Sequence, residues 1–170
     1  MKLRQLAVAF IINEENQVLF LQKKSQDTFL AGHLVPIGGH IEGIEINEPK
    51  NACLREIEEE TGINRIHLHD LTLRYIVHRT KAYEEIRIQY VLFGTLSKQY
   101  PLVESDEGSL KWIEINEVAN KNVSATTIEI INHFIKKMTN NNVFVGSMKS
   151  QEGEPIIKWA ELEDWEMPIS

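Results

Sequence analysis

The sequence predicts an α/β or α+β domain, with helices packed on a mixed sheet. Three observations carry that expectation. Short apolar, β-branched runs recur along the chain, separated by turn residues. Two longer stretches, 48–61 and 124–138, have helical spacing and capping residues. A composition of 42% hydrophobic and 25% charged residues in 170 describes a soluble domain with a real core.

Residues 5–12 and 17–22 are two strands, and the polar stretch 13–16 between them makes a hairpin. A loop follows over 25–32. Residues 33–37 form a short extended piece running into Gly38 and Gly39. The helix over 48–61 has Asn47 as its cap, Pro49 in its first turn and Gly62 as its stop. Leu54 and Ile57 give it an apolar side. Strands resume over 67–77, 85–96 and 110–115, with a turn over 116–120. The second helix has Ser124 as cap and buries Ile128, Ile131, Phe134 and Ile135. A final hairpin pairs 143–148 with 155–160.

Eighteen Lys and Arg against 25 Asp and Glu leave a net charge of −7, which argues against nonspecific nucleic-acid binding. It leaves room for a small phosphorylated ligand bridged to acidic side chains by a divalent cation. No apolar run approaches the roughly 20 residues that span a bilayer. Lys2 and Arg4 precede the apolar stretch 6–12 as in a secretory leader, but no small-residue cleavage site follows; the segment reads as the first strand. A single cysteine, Cys53, excludes an internal disulfide and fits a reducing cytoplasm; it reads as a buried structural thiol.

The first helix is the least expected part of the chain. Glu56, Glu59 and Glu60 fall at i, i+3 and i+4, on one face, while Glu58 points away. Three like charges on one face cost helix stability. Hard divalent cations want such oxygen ligands, and a filled site would offset the repulsion. Arg55 stands four residues before Glu59, where a guanidinium can hold a carboxylate in one orientation. Gly38 and Gly39 lie just upstream at a strand end, where bare backbone can approach a phosphate. A solvated acidic face is the plainer reading of the same residues.

Taken together, these residues resemble the Nudix box: Gly, five residues, Glu, seven residues, then Arg-Glu-apolar-any-Glu-Glu-any-Gly-apolar. Arg55, Glu56, Ile57, Glu59, Glu60, Gly62 and Ile63 match its second half throughout. The first half departs. Seven residues before Arg55 stands Asn47, whereas five residues after Gly39 stands Glu45, so the loop carries two extra residues. Glu45, Glu48 or nothing fills the role of the first Glu.

The resemblance implies a Nudix-type α/β/α sandwich over residues 1–140, with 141–170 as a C-terminal extension packed on it. It implies Mg²⁺-dependent hydrolysis of a nucleoside diphosphate linked to another group, with Mn²⁺ as an alternative ion. It assigns metal ligation to Glu56, Glu59 and Glu60, catalysis to Glu59 and Arg55, and diphosphate contact to Gly38, Gly39 and His40. The stretch 101–112 is similar to the branch that hydrolyses oxidised purine nucleoside triphosphates. That likeness makes Glu107 a metal ligand or general base, with Glu104 as the fallback. Dimers are common in the family, so a homodimer is among the expected assemblies.

The expected function is hydrolysis of a nucleoside triphosphate, oxidised purines included, to the monophosphate and pyrophosphate. The alternatives are an ADP-ribose or dinucleotide pyrophosphatase and a non-catalytic nucleotide sensor. Lesser candidates are Lys23 and Lys24, which could meet a triphosphate, and His67 and His69, read as sharing a polar strand face. Trp112, Trp159 and Trp165 could stack a base but read better as packing residues. Leu34, Val35, Glu114 and Asn116 stand where the purine branch recognises its base.

Overall fold

A computed structural model describes residues 1–24 and 31–167. Most of the expected loop over 25–32 lies outside the described residues. The elements are β1 (Lys2–Ile12), β2 (Gln17–Lys23), β3 (Leu34–Val35), β4 (Ile37–His40), α1 (Pro49–Thr61), β5 (His69–Lys81), β6 (Glu85–Thr95), β7 (Gly108–Glu114), α2 (Ala125–Lys136), β8 (Phe144–Gln151) and β9 (Glu154–Glu161). Short 3₁₀ turns cover Gly43–Glu45, Arg65–His67 and Ile115–Asn120.

The strands form one mixed sheet in the order β3-β2-β1-β6-β5-β8-β9, with β4 paired to β1 and β7 to β2. β1 runs parallel to β6 from Lys2 opposite Glu85 to Ile12 opposite Thr95. β8 joins parallel to β5, so the C-terminal hairpin extends the same sheet.

Strand alternation gives the sheet two apolar faces. On β1, Ala7, Ala9 and Ile11 face one side, where α1 adds Ala52, Cys53 and Ile57. Val8 and Phe10 face the other, where α2 adds Ile130, Ile131 and Phe134. This is the expected sandwich: one helix on each face.

Several boundaries differ from the sequence reading. The cap of α1 is Glu48, not Asn47: the amides of Asn51 and Ala52 both donate to the Glu48 carbonyl, so the ladder starts one residue later. Pro49, with its fixed φ, then occupies the first helical position. Gly62 ends the helix at φ 70, as expected of a left-handed stop. Residues 38–40, read only as the end of an extended piece, form a ladder with β1. His67 lies in a 3₁₀ turn and stacks near Tyr100, so it shares no strand face with His69. Ser124 does cap α2, accepting from the Thr127 amide. Ile130 takes a buried place on that helix, while Ile128 and Ile135 are half-buried. Cys53 is fully buried, and burial pushes its thiol well above the ordinary range, with Glu56 and Glu60 adding to the shift. No helix among the described residues is long and apolar enough to cross a membrane.

Candidate active site

The site is built where α1 crosses β4. Pairing of β4 with β1 puts Gly38 opposite Val8 and Gly39 opposite Ala7, directly beneath the helix. Gly38 has no room for a side chain, and at Gly39 a side chain would displace a carboxylate. At Gly38 the backbone has φ 141, and a Cβ would come within 2.2 Å of the Ala7 carbonyl oxygen. At Gly39 a Cβ would come within 2.6 Å of the Glu56 carboxylate. The bare backbone is therefore approached by the helix's own carboxylates. The Gly38 amide donates to Glu60 Oε2 at 2.8 Å, and Glu56 lies in the space above Gly39.

Arg55 organises the rest. Its Nε and Nη2 donate to the two oxygens of Glu45, at 2.9 and 3.1 Å, a paired contact that fixes the guanidinium plane. Nη1 donates to Glu56 at 2.9 Å and Glu59 at 3.3 Å, and Nη2 reaches the His40 carbonyl at 3.1 Å. Of the three possibilities for the first box Glu, Glu45 is the residue that meets Arg55, from the turn Gly43–Glu45. Glu45 also accepts from the Glu42 amide at 3.1 Å, which ties the longer loop back on itself. The two extra residues are absorbed between that turn and the helix start.

Glu56, Glu60 and Glu107 line a cleft of about 390 Å³ with Lys23, Gly38, Gly39, His40 and Glu42. Glu107 comes from the loop ahead of β7 and is held by Lys23 Nζ at 2.7 Å. Glu59 does not line this cleft. Its side chain is 61% exposed, and it joins the group through the shared Arg55 nitrogen. Glu104 accepts from the Leu110 amide at 3.2 Å and staples its own loop.

The three carboxylates of the cleft differ in electrostatic setting. Glu60 is 4% exposed, and burial pushes its carboxyl up to about 8; the Gly38 amide opposes this, while Glu107 and Glu56 add to it. Burial also raises Glu56, against the pull of Arg55. Glu107 is held below the ordinary carboxylate range by the Lys23 ammonium, against its partial burial. Glu45 is lowered in the same way by Arg55, whose guanidinium is stabilised in turn.

This donor set suits a hard divalent cation. Its atoms are mainly carboxylate oxygens, and the buried Glu60 accepts from the Gly38 amide. Among the described residues no three His, Cys, Asp or Glu side chains converge closely enough to form a protein-only metal cage. A magnesium ion that takes few carboxylates and fills its remaining positions with water and substrate phosphate needs no such cage.

The lesser candidates separate. Lys23 belongs to the cleft, and Trp159 packs against Tyr75 and His133 on the opposite face. Trp112 is half-buried on the α1 side, and Trp165 is 87% exposed. Leu34 is buried in the core on the α2 side. Glu114 accepts from the Gln17 side chain at 2.8 Å. Sequence reasoning missed the contribution of Glu42 and the pairing of Lys23 with Glu107; both depend on loops whose closure no local pattern encodes.

A family model described as the NUDIX domain matches residues 2–134. The 8-oxo-dGTP diphosphatase of Escherichia coli (strain K12) is 40% identical over 67 residues, or 39% of this chain and 50% of that protein. The chain thus spans about half the length of this curated relative. Among solved structures, a MutT protein from Methanosarcina mazei Go1 has a TM-score of 0.67 at 21% identity, covering 82% of this chain and 97% of that one. A MutT protein from Bacillus halodurans has a TM-score of 0.65 at 20% identity, covering 93% of this chain and 97% of that one. At such identities these likenesses establish the fold.

Proposed function

Since the chain belongs to the NUDIX domain family, we propose that it is a Mg²⁺-dependent nucleotide pyrophosphohydrolase whose substrate is a nucleoside triphosphate. The observation that carries this reading is the cleft in which Glu56 and Glu60 of α1 share walls with Glu107, beside Gly38 and Gly39. The partial likeness to a protein described as an 8-oxo-dGTP diphosphatase supports a triphosphate substrate, with an oxidised purine as the first choice of base.

Glu56 and Glu60, with Glu107 across the cleft and Glu59 at its exposed edge, would hold the ion. A bound Mg²⁺ supplies charge neutralisation for the diphosphate and lowers the pKa of a coordinated water. The protein's own groups do the rest. Arg55 keeps Glu56 and Glu59 in fixed orientations through its anchor on Glu45. Glu107, kept ionised by Lys23, is the group suited to accept the proton of the attacking water. Lys23 stands where a phosphate oxygen would compete with Glu107 for its ammonium. Water adds to phosphorus as the anhydride P–O bond breaks, giving a nucleoside monophosphate and pyrophosphate.

The test is a panel of nucleoside triphosphates, oxidised nucleoside triphosphates and dinucleotides incubated with Mg²⁺, with products separated by chromatography. The expected result is monophosphate plus pyrophosphate from one triphosphate class, lost on chelation. Turnover that is unaffected by chelator, or by Glu56→Gln and Glu59→Gln together, overturns the assignment.

A further inference from the structure

Like charges placed directly opposite one another on a sheet cost stability, yet such a cluster lies on the α2 side of this one. Alternation puts Arg4 of β1, Arg87 of β6 and Arg79 of β5 on the same face as Val8, Val91 and Tyr75. The register sets them side by side: Arg4 stands opposite Arg87, and Arg87 opposite Arg79. The next rung outward on that face places Lys2 and Lys81 on either side of Glu85. Five cations therefore share six positions with one carboxylate. A net charge of −7 describes the chain as a whole, and here its sign is locally reversed.

Glu85 does not neutralise the group. It is shared between Arg87 Nε and Arg4 Nε, the latter at 3.5 Å. The Nη atoms of both arginines have no protein acceptor among the described residues and are not buried. Arg79, Lys2 and Lys81 are exposed and have no ion-pair partner among the described residues. Arg79 also lines a cavity of about 570 Å³ between the tips of the β5–β6 and β8–β9 hairpins, with Thr80, Tyr83, Lys149 and Ser150 and without a carboxylate. Tyr83 is 87% exposed. The Glu84 amide closes its turn by donating to the Lys81 carbonyl at 3.1 Å, and both central residues are left-handed, Ala82 at φ 52 and Tyr83 at φ 55. Turns of this kind favour Asn-Gly. Holding Ala-Tyr there costs local strain, and the result is a bare aromatic ring in the same cavity as two cations.

We propose that this end of the sheet binds single-stranded nucleic acid, with the phosphodiester backbone over the arginine row and a base stacked on Tyr83. A row of guanidinium and ammonium groups takes successive phosphates, and an exposed aromatic ring takes a base of any sequence. Strands about 4.8 Å apart and rungs about 6.7 Å apart spread the cations over roughly 10 Å by 7 Å. That is the length of about three stacked nucleotides. A lipid surface fits less well, because the exposed Leu3 alternates to the opposite face and inserts nothing beside the cations. An acidic peptide satisfies the cations but gives Tyr83 no flat partner. Binding here needs neither metal nor hydrolysis, so it stands apart from the reading of the catalytic cleft.

The experiment is fluorescence anisotropy of the full chain in chelator with labelled single-stranded oligonucleotides of about ten nucleotides, in DNA and RNA forms. Each carries a 5′-hydroxyl, which offers the cleft no terminal phosphate. Saturable binding is expected with either sugar, weakening with added salt at a log–log slope of about −0.7 for each phosphate neutralised. Arg79→Gln should weaken it several-fold and make the slope shallower by about 0.7. Tyr83→Asn, which suits the turn, should weaken it about tenfold with an unchanged or raised melting temperature. A tyrosine kept only for structure would not separate affinity from stability in that way. Both substitutions leave the contacts of Arg4 and Arg87 with Glu85 in place. No saturable binding at low salt, an affinity unchanged by both substitutions, or equal affinity for polyglutamate or for phosphatidylserine vesicles overturns the proposal.

Discussion

The two faces of the sheet carry one helix each, and the helices are held by opposite means. On the α2 side the seam is apolar and aromatic: Phe134 stacks on Phe93, and Tyr75 meets His133, Phe144 and Trp159. On the α1 side the helix buries only Ala52, Cys53, Ile57, Glu60 and Thr61, and its outer half is pinned by the Arg55 network. One face stores stability through area removed from water. The other spends some of it to keep carboxylates close together. Damage to the first should unfold the protein, whereas damage to the second should silence it.

The strongest test of that contrast is Glu59→Gln. It is expected to lower Mg²⁺-dependent turnover by about 10³-fold, the scale of removing one preorganised charged group, with an unchanged or slightly raised melting temperature. A melting temperature that collapses along with activity would erase the distinction. Phe134→Ala should do the reverse, costing about 3–5 kcal/mol of stability in denaturant titration while kcat of the surviving folded fraction stays close to the parent value.

The faces should also titrate in opposite directions. In chelator, Glu60 keeps its proton up to about pH 8 when folded, against an ordinary value of 4.5. Its contribution is therefore fully present below pH 4.5 and is lost as pH rises toward 8. The loss is on the order of a few kcal/mol at most, and Glu60→Gln should flatten it. The smallest effect belongs to His133, whose imidazole is lowered by burial and by Lys137 and Lys136. Its contribution is present above the ordinary value of 6.5 and fades as pH falls below it. A shallow acid-side slope in thermal melts should disappear in His133→Phe. If Glu60→Gln removes the acid slope instead, the two faces have been assigned backwards.

Much of this site was legible in advance because its spacing is local. Glu56, Glu59 and Glu60 are neighbours on any helix, and Gly62 stops that helix wherever it packs. Glu45 could be narrowed only to one of three options, because a longer loop closes on Arg55 by three-dimensional fit. The His67–His69 pairing failed for a related reason: a 3₁₀ turn ends between them, and periodicity over three residues cannot detect it. Asn47 lost the cap to Glu48 because the first helical hydrogen bonds, not the best capping side chain, decide where a helix starts.

By itself the sequence determined the helix and strand identities, the two-faced alternation of β1 and the row of glutamates, since each depends on residues within a turn or two of one another. Only the tertiary structure decided that Glu59 would stay exposed while Glu60 became buried. It alone brought Glu107 and Lys23 to the cleft. These outcomes depend on how distant strands register and how closely α1 approaches β4, and the free energy of such contacts lives in geometry shared between segments far apart in the chain.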